Sequence, residues 1–278
     1  MYLQPTFSVS IKADKISLGS TLLFENINFT LEETEWTCLL GPSGVGKTSL
    51  LRIIAGLVPD GNNMSIRCSD HNPINGRISY MAQDDLLLPW LNILDNVLIG
   101  YRLRSEKADK SKAKNLIEMV GLSENVYDLP YKLSGGMRQR VVIALALCAD
   151  PDILIADEPT TALDVSIQSQ ILALLQKLKA DRNLAVILIT HDMAVISEVA
   201  DRVVVLKDGR IVEMGAPAAV LGTPSQTYTK SLVSSVPPTD RRIDRFPIMG
   251  AEQNHAADPQ LIQYLRTNPI FAQPLSLV

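Results

Sequence analysis

Short apolar runs alternate with longer amphipathic stretches along much of the chain, and this order predicts a parallel β-sheet covered by helices. Residues 36–40, 153–156 and 185–189 are nearly all apolar, as expected of buried strands, and residues 78–81 form a further strand-like run. Residues 165–179 carry apolar side chains at helical spacing, namely Ile167, Ile171, Leu174, Leu175 and Leu178. The pattern therefore predicts an α/β fold.

The remaining regions have less regular patterns. Residues 7–29 indicate a β-rich start with a turn at 18–20, and residues 59–77, rich in Gly, Asn, Pro and Asp, indicate a loop or weak hairpin. Residues 84–149 have a helical pattern, including the mixed-charge stretch 102–114, which we interpret as a solvated helix face. We therefore expect an α/β core interrupted by a helical insertion.

The composition of the chain changes near residue 223. Beyond this point prolines interrupt any long element, at Pro237, Pro238, Pro247, Pro259, Pro269 and Pro274. We predict one domain over residues 1–222, with a helical subdomain at about 84–150, and a loosely structured C-terminal extension over 223–278. No internal repeat is visible.

Composition and charge narrow the class of protein. The 278 residues are 46% hydrophobic, enough for a large core, and the net charge of −4 gives no general attraction to nucleic acid. The cysteines Cys38, Cys68 and Cys148 lack metal-ligand spacing, so we expect core thiols in a reducing compartment, with no disulfide and no zinc. The N-terminus does not resemble a signal peptide and no apolar run approaches the ~20 residues of a spanning helix, so we expect a cytoplasmic chain.

Residues 41–48 read Gly-Pro-Ser-Gly-Val-Gly-Lys-Thr and fit the phosphate-binding pattern G-x-x-x-x-G-K-[ST]. The glycines let several backbone NH groups face one anion, the lysine reaches the outer phosphates, and the threonine hydroxyl suits Mg²⁺. The alternative is an ordinary glycine-rich turn, but the preceding apolar strand and following helical run favour phosphate binding. The predicted nucleotide contacts are Gly41, Pro42, Ser43, Gly44, Val45, Gly46, Lys47, Thr48 and Ser49.

An acidic pair follows the apolar run at 153–156. In an open α/β sheet, ligands bind at the carboxyl ends of the strands, where Asp157 and Glu158 stand. We expect Asp157 to hold Mg²⁺ and Glu158 to polarise the water that attacks the γ-phosphate. A solvated surface pair is the alternative, which the upstream phosphate loop disfavours.

Residues 133–140 read Leu-Ser-Gly-Gly-Met-Arg-Gln-Arg. With this segment added, roughly residues 1–222 resemble an ATP-binding-cassette (ABC) ATPase. The resemblance implies a P-loop NTPase fold, with a RecA-like core, an N-terminal antiparallel β subdomain and an inserted α-helical signature subdomain. It also implies ATP and Mg²⁺ as ligands.

The resemblance implies that two subunits share each ATP. Ser134, Gly135 and Gly136 would bind the γ-phosphate of ATP held by a second subunit, since a helix N-terminus attracts anions. A plain helix N-cap would explain Ser134 but not the paired glycines. Asp164 would lie in the loop that crosses the dimer interface.

Two further site residues are carried over from the family. Gln83 matches the glutamine that contacts Mg²⁺ and water and reports the nucleotide state to the membrane partner. His191 matches the switch histidine that contacts the γ-phosphate, although a lone histidine after a strand is more often structural. The usual adenine-stacking aromatic residue is replaced by Leu18, which lacks a π face, so Phe24 is considered as an alternative adenine contact.

The segment after Gln83 suggests an importer. Residues 84–95 are unusually apolar, and they form either helix core or an exposed groove for a partner helix, which in this family is the coupling helix of a permease. Residues 80–90 resemble ATPases of the nitrate, sulfonate, taurine and thiamine-precursor pyrimidine group. Residues 157–168 and 228–237 resemble the peptide and nickel group, but the tail lacks that group's cysteine cluster, which favours the first group.

We therefore expect the ATP-hydrolysing subunit of an importer at the cytoplasmic face of the cell membrane. Its expected partners are a second ATPase subunit, in a homodimer or with a similar chain, and integral membrane permease subunits, with an extracytoplasmic solute-binding protein acting indirectly. The rival is a soluble cassette ATPase that remodels ribosomes or DNA-repair assemblies, but such proteins carry tandem cassettes or a long coiled coil. A kinase or GTPase would not explain residues 133–136, and an inactive cassette would not need Lys47, Gln83, Glu158 and His191.

Overall fold

The structure is a computed structural model that describes residues 7–18, 20–58, 64–161 and 163–235. Residues 1–233 form one compact unit, and residues 234–278 form a second, nearly all of which lies outside the described residues. The prolines that motivated the predicted extension lie there too. The division into domains at residue 222 stays a prediction.

Strands and helices alternate through most of the chain. The strands are β1 Val9–Leu18, β2 Thr21–Leu31, β3 Trp36–Leu40, β4 Met64–Cys68, β5 Ile78–Met81, β6 Ile153–Asp157, β7 Ala185–Ile189, β8 Arg202–Lys207 and β9 Arg210–Gly215. The α-helices are α1 Lys47–Ile54, α2 Ile93–Val97, α3 Ile99–Leu103, α4 Lys110–Met119, α5 Gly135–Leu147, α6 Val165–Arg182, α7 Met193–Val199 and α8 Thr227–Ser234. No helix among the described residues has the length and apolarity needed to cross a bilayer.

The central sheet has six strands in the order β5-β6-β7-β3-β8-β9. All neighbouring pairs are parallel except β8 and β9. Every residue of β3, β6 and β7 is buried, which explains why their sequences are continuous apolar runs. The strands predicted at 36–40, 78–81, 153–156 and 185–189 are confirmed.

Alternate residues of the parallel strands serve two separate cores. Leu39, Ile155 and Ile187 pack with α1 and the small antiparallel sheet β2-β1-β4, whereas Cys38 and Leu154 pack with the helical insertion. Within that insertion α5 packs against α2 and α4, and it also packs against α6, which lies outside the insertion. All three cysteines are buried and free.

Three local expectations need correction. The loop or weak hairpin predicted at 59–77 contains β4, whose alternating side chains Met64, Ile66 and Cys68 turn inward as the strand pairs with β1. The mixed-charge stretch 102–114 is not one helix face, because α3 ends at Leu103 and α4 begins only after the Asp109 cap. The expected loose extension begins with α8, which Leu232 and neighbouring residues anchor in the core.

Candidate functional site

The sheet topology brings the predicted site residues to one edge. Four adjacent parallel strands, β5, β6, β7 and β3, have their carboxyl ends together. Gln83 follows β5, Glu158 follows β6, His191 follows β7, and the phosphate loop follows β3. Residues more than a hundred positions apart in sequence therefore face a common space.

The phosphate loop has backbone conformations that require glycine. Gly44 and Gly46 have φ of 80° and 96°, in the left-handed region. A Cβ on Gly46 would lie 2.7 Å from the Cζ atom of Phe24, and one on Gly41 would lie 2.6 Å from the carbonyl oxygen of Leu206. The loop is packed directly against Phe24 and Leu206. This packing holds its NH groups at the start of α1.

Lys47 is held inside this loop. Its ammonium donates to the carbonyl oxygens of Gly41 and Pro42, each at 2.9 Å. Burial lowers the pKa of Lys47, and the charges of Glu158 and Asp157 oppose this shift. A cation whose partners are two neutral carbonyls is well placed to bind a phosphate instead.

Asp157 is a buried carboxylate at the base of the site, only 3% exposed. Its Oδ1 atom accepts from the Thr48 hydroxyl at 3.2 Å, and its Oδ2 atom accepts from the Tyr80 hydroxyl at 2.6 Å. The Asp157 carboxylate and the Thr48 hydroxyl supply oxygen ligands of the kind that a hard cation such as Mg²⁺ prefers. A cation bound there would compensate the buried negative charge of Asp157. The structure therefore fits the predicted Thr48 and Asp157 pair.

Tyr80 was not predicted as a site residue. Burial, together with the hydrogen bond to Asp157, raises its pKa to about 12, so its hydroxyl is protonated and donates at neutral pH. The sequence pattern at 78–81 predicts only that Tyr80 lies in a strand. The pairing of β5 with β6 is what places its hydroxyl beside Asp157.

Glu158 lies at the centre of the polar cluster. Its Oε2 atom accepts from Gln83 Nε2 at 3.3 Å and from the Thr161 hydroxyl at 2.9 Å. His191 Nδ1 lies 3.8 Å from Glu158 Oε1, and the His191 side chain is 71% exposed. Glu158 has a φ of 50°, a strained conformation that non-glycine residues adopt more often at functional sites. The structure thus brings Gln83, Glu158 and His191 together, and Thr161 joins them without having been predicted.

The Ser134 segment lies at the start of α5. The Ser134 hydroxyl oxygen accepts from the Met137 backbone NH at 3.3 Å and so caps α5, while a Cβ on Gly136 would lie 2.6 Å from Ile167. Ser134, Gly135 and Asp164 are exposed. Within the described residues, no hydrogen bond joins them to the phosphate loop or to Glu158.

Comparison with known proteins identifies the family. A family model described as "ABC transporter" matches residues 24–161. The dipeptide transport ATP-binding protein DppD of Bacillus subtilis is 39% identical over 245 residues, which cover 80% of this chain and 73% of the relative. The chain belongs to the ABC transporter ATP-binding family.

Two further similarities agree with this assignment. The sulfate/thiosulfate import ATP-binding protein CysA of Mycobacterium tuberculosis is 35% identical over 258 residues, covering 88% of this chain and 74% of the relative. The solved structure of cbiO1 from Clostridium perfringens, part of the ABC transporter complex cbiONQ, has a TM-score of 0.68 at 26% identity and covers 77% of this chain and 90% of that one. The predicted fold class and the assignment as an ABC ATPase, which binds and hydrolyses ATP, are confirmed.

One expectation about adenine is wrong for this ABC ATPase. Phe24 is 1% exposed and lies beneath Gly46, because it faces inward from β2. It is therefore unavailable for stacking on a base. The side chain of Leu18, the other residue considered, lies outside the described part of the structure.

Proposed function

We propose that this chain is the ATP-hydrolysing subunit of an import system and that it drives solute uptake through separate permease subunits. The observation that carries the proposal is the cluster of Gln83, Glu158 and His191 at the sheet edge that also presents the phosphate loop. The family membership supports it, as do the names of the relatives, which give dipeptide transport for one and sulfate/thiosulfate import for the other.

In this proposal the phosphate loop binds the polyphosphate of ATP. Lys47 exchanges its two carbonyl partners for the β- and γ-phosphates. Thr48, Asp157 and Gln83 hold Mg²⁺, which when bound neutralises the developing phosphate charge. Glu158 accepts a proton from the attacking water, and His191 contacts the γ-phosphate.

A second ATPase subunit completes each site. Ser134, Gly135 and Asp164 are exposed and not bonded to their own subunit's phosphate loop, so they are free to face the ATP of a partner. Closure of such a dimer on two ATP molecules, followed by reopening after hydrolysis, would drive alternating access in the permease. We propose a homodimer as the simplest arrangement.

A groove beside the helical insertion is the proposed permease site. The cavity of about 540 Å³ is lined by Leu57, Leu86 and Leu103, and both Leu86 and the nearby Trp90 are 71% exposed. Leu87, Ile93 and Leu94 are buried, so the apolar stretch contributes to the core at some residues and to the exposed surface at others, and its helix begins only at Ile93. An exposed apolar groove suits an amphipathic coupling helix. Docking there would hold this chain at the cytoplasmic face of the membrane, with a solute-binding protein on the other side.

The solute class rests on shorter sequence segments. We propose the nitrate, sulfonate, taurine and pyrimidine group, because the amino-acid sequence of residues 80–90 resembles ATPases of that group. The relatives reported above are named for dipeptide and for sulfate or thiosulfate, and the segment at 157–168 agrees with the peptide group. The permease that accompanies the chain would distinguish these classes.

The assignment of Glu158 is tested by its glutamine variant. Glu158→Gln retains the shape of the side chain but cannot accept the proton, so we expect ATP binding to persist while kcat falls by about 100-fold or more. The matched control is Glu124→Gln, which makes the same substitution at an exposed glutamate that is not among the site residues. Undiminished steady-state hydrolysis by purified Glu158→Gln would reject the assignment.

The transport role is tested by purification of the tagged chain from gently solubilised membranes with Mg²⁺ and ATP present. Mass spectrometry should identify a polytopic permease in the purified complex. Recovery of ribosomal or DNA-repair proteins without a permease would reject the import role while leaving the ATPase assignment intact.

A further inference from the structure

The hydroxyl of Tyr80 contacts a carboxylate that the proposed function assigns to Mg²⁺. The distance from the Tyr80 oxygen to Asp157 Oδ2 is 2.6 Å, shorter than the 3.2 Å from the Thr48 hydroxyl to Oδ1. Asp157 is almost completely buried, so water has little access to either oxygen. Tyr80 is therefore the closest hydrogen-bond donor to this carboxylate in the described residues.

Strand register explains how Tyr80 reaches the site. Tyr80 pairs with Ile155 in the parallel ladder, and Asp157 lies two residues further along β6 on the same face as Ile155. Two residues of a strand span roughly 7 Å, a distance that a tyrosine side chain bridges and a shorter side chain does not. The contact follows from the register of two adjacent buried strands and does not depend on a loop.

The two hydroxyls hold opposite oxygens of Asp157. Thr48 bonds Oδ1 and Tyr80 bonds Oδ2, so the carboxylate cannot rotate without losing one of these bonds. Each carboxylate oxygen has a second lone pair and can still bind a cation. Groups that hydrogen-bond to metal ligands orient those ligands and strengthen metal binding.

We propose that Tyr80 is a positioning residue, which orients the Asp157 carboxylate for the divalent cation that accompanies ATP. This inference rests on the proposed function, in which Asp157 is a metal ligand. Tyr80 itself contacts neither the nucleotide nor the reacting water in this proposal. Its contribution should therefore appear in metal affinity and not in affinity for metal-free nucleotide.

The test uses the full chain with Tyr80→Phe, which removes only the hydroxyl. The complex with a non-hydrolysable ATP analogue, freed of excess nucleotide, is titrated with Mn²⁺, and free Mn²⁺ is measured by electron paramagnetic resonance. We expect the variant to bind Mn²⁺ about tenfold more weakly than the original chain, the lower end of the effect of removing such a partner. Its affinity for the analogue in EDTA should be unchanged.

Tyr101→Phe is the matched control, because it also removes a tyrosine hydroxyl that donates to an internal acceptor, the carbonyl oxygen of Cys148 at 3.3 Å. It should leave Mn²⁺ affinity unchanged. Equal Mn²⁺ affinity in Tyr80→Phe and the original chain would overturn the inference. An equal loss of nucleotide affinity in EDTA would also overturn it, because the hydroxyl would then support the site as a whole.

Asp157→Asn separates this inference from the proposed function. If it weakens Mn²⁺ binding while Tyr80→Phe does not, the metal role of Asp157 stands and the role of Tyr80 is rejected. If Asp157→Asn binds Mn²⁺ as well as the original chain, the metal assignment fails and the inference fails with it.

Discussion

Glu213 of β9 anchors the C-terminal helix α8, and this contact predicts a pH-dependent stability. Its carboxylate accepts from the Ser225 backbone NH at 2.7 Å, from the Ser225 hydroxyl at 2.8 Å and from the Gln226 NH at 3.2 Å, just before α8 begins. Burial raises the pKa of Glu213, but the interaction with the Thr229 hydroxyl and the hydrogen bonds from Ser225 and Gln226 outweigh it and lower the pKa from 4.5 to about 2. The ionised form is therefore the one that holds α8.

The size of the effect follows from the pKa change. A shift from 4.5 to about 2 corresponds to roughly 3 kcal/mol at full value. Because Glu213 is partly exposed, screening by solvent reduces the expected contribution to about 1–2 kcal/mol. Since the folded pKa is the lower one, this stability is present above pH 4.5 and is lost as the pH falls towards about 2.

The assay is urea unfolding of Glu213→Gln beside the original chain at pH 7 and at about pH 3.5. Glu198→Gln, an exposed glutamate of α7, is the control and should change stability by less than about 0.5 kcal/mol. We expect Glu213→Gln to lose about 1–2 kcal/mol at pH 7 and less at pH 3.5. No loss at pH 7, or a loss of equal size at both pH values, would refute the reasoning.

Two further substitutions test the phosphate loop and the β8–β9 turn. Lys47→Ala should abolish tight nucleotide binding, measured with a fluorescent ATP analogue, and an affinity within twofold of the original would contradict the role of the ammonium. Gly209→Ala should lower the free energy of unfolding by about 2–4 kcal/mol, because φ is +73° and a Cβ would lie 2.2 Å from the carbonyl oxygen of Leu23. Gly76 is the control, because it has a similar φ of +81° but open space where a Cβ would lie. Gly76→Ala should therefore lower the free energy of unfolding by only about 1 kcal/mol. Equal losses in both variants would exclude the steric contribution at Gly209.

Elements whose own sequence carries a strong signal were the easiest to predict. The strands β3, β6 and β7 are buried on both faces, so burial alone makes their sequences apolar and recognisable. An N-cap was the alternative interpretation of Ser134, and its hydroxyl oxygen does accept from the Met137 NH. The cap depends on residues three positions apart, which a sequence displays directly.

Elements whose own sequence signal is weak and which depend on distant partners were missed. The strand β4 is only five residues long and exists because β1 offers it an edge, while the alternation of Met64, Ile66 and Cys68 was too short a signal beside the glycines and prolines around it. Helix α8 begins two residues after Ser225, whose backbone NH donates to Glu213, twelve residues earlier in the chain. Phe24 was considered for adenine because its aromatic ring is visible in sequence, whereas its burial beneath Gly46 is not.

The sequence by itself determined the chemistry of this protein: a phosphate loop, an acidic pair after a buried strand, and the residues that follow neighbouring strands. Only the tertiary structure decided which of these groups touch. The contacts of Glu158 with Gln83 and His191, and of Asp157 with Tyr80, depend on the order and register of β5, β6 and β7. Periodicity along a chain specifies which face a residue occupies, but the neighbour across a sheet is set by pairing between segments that lie far apart in sequence.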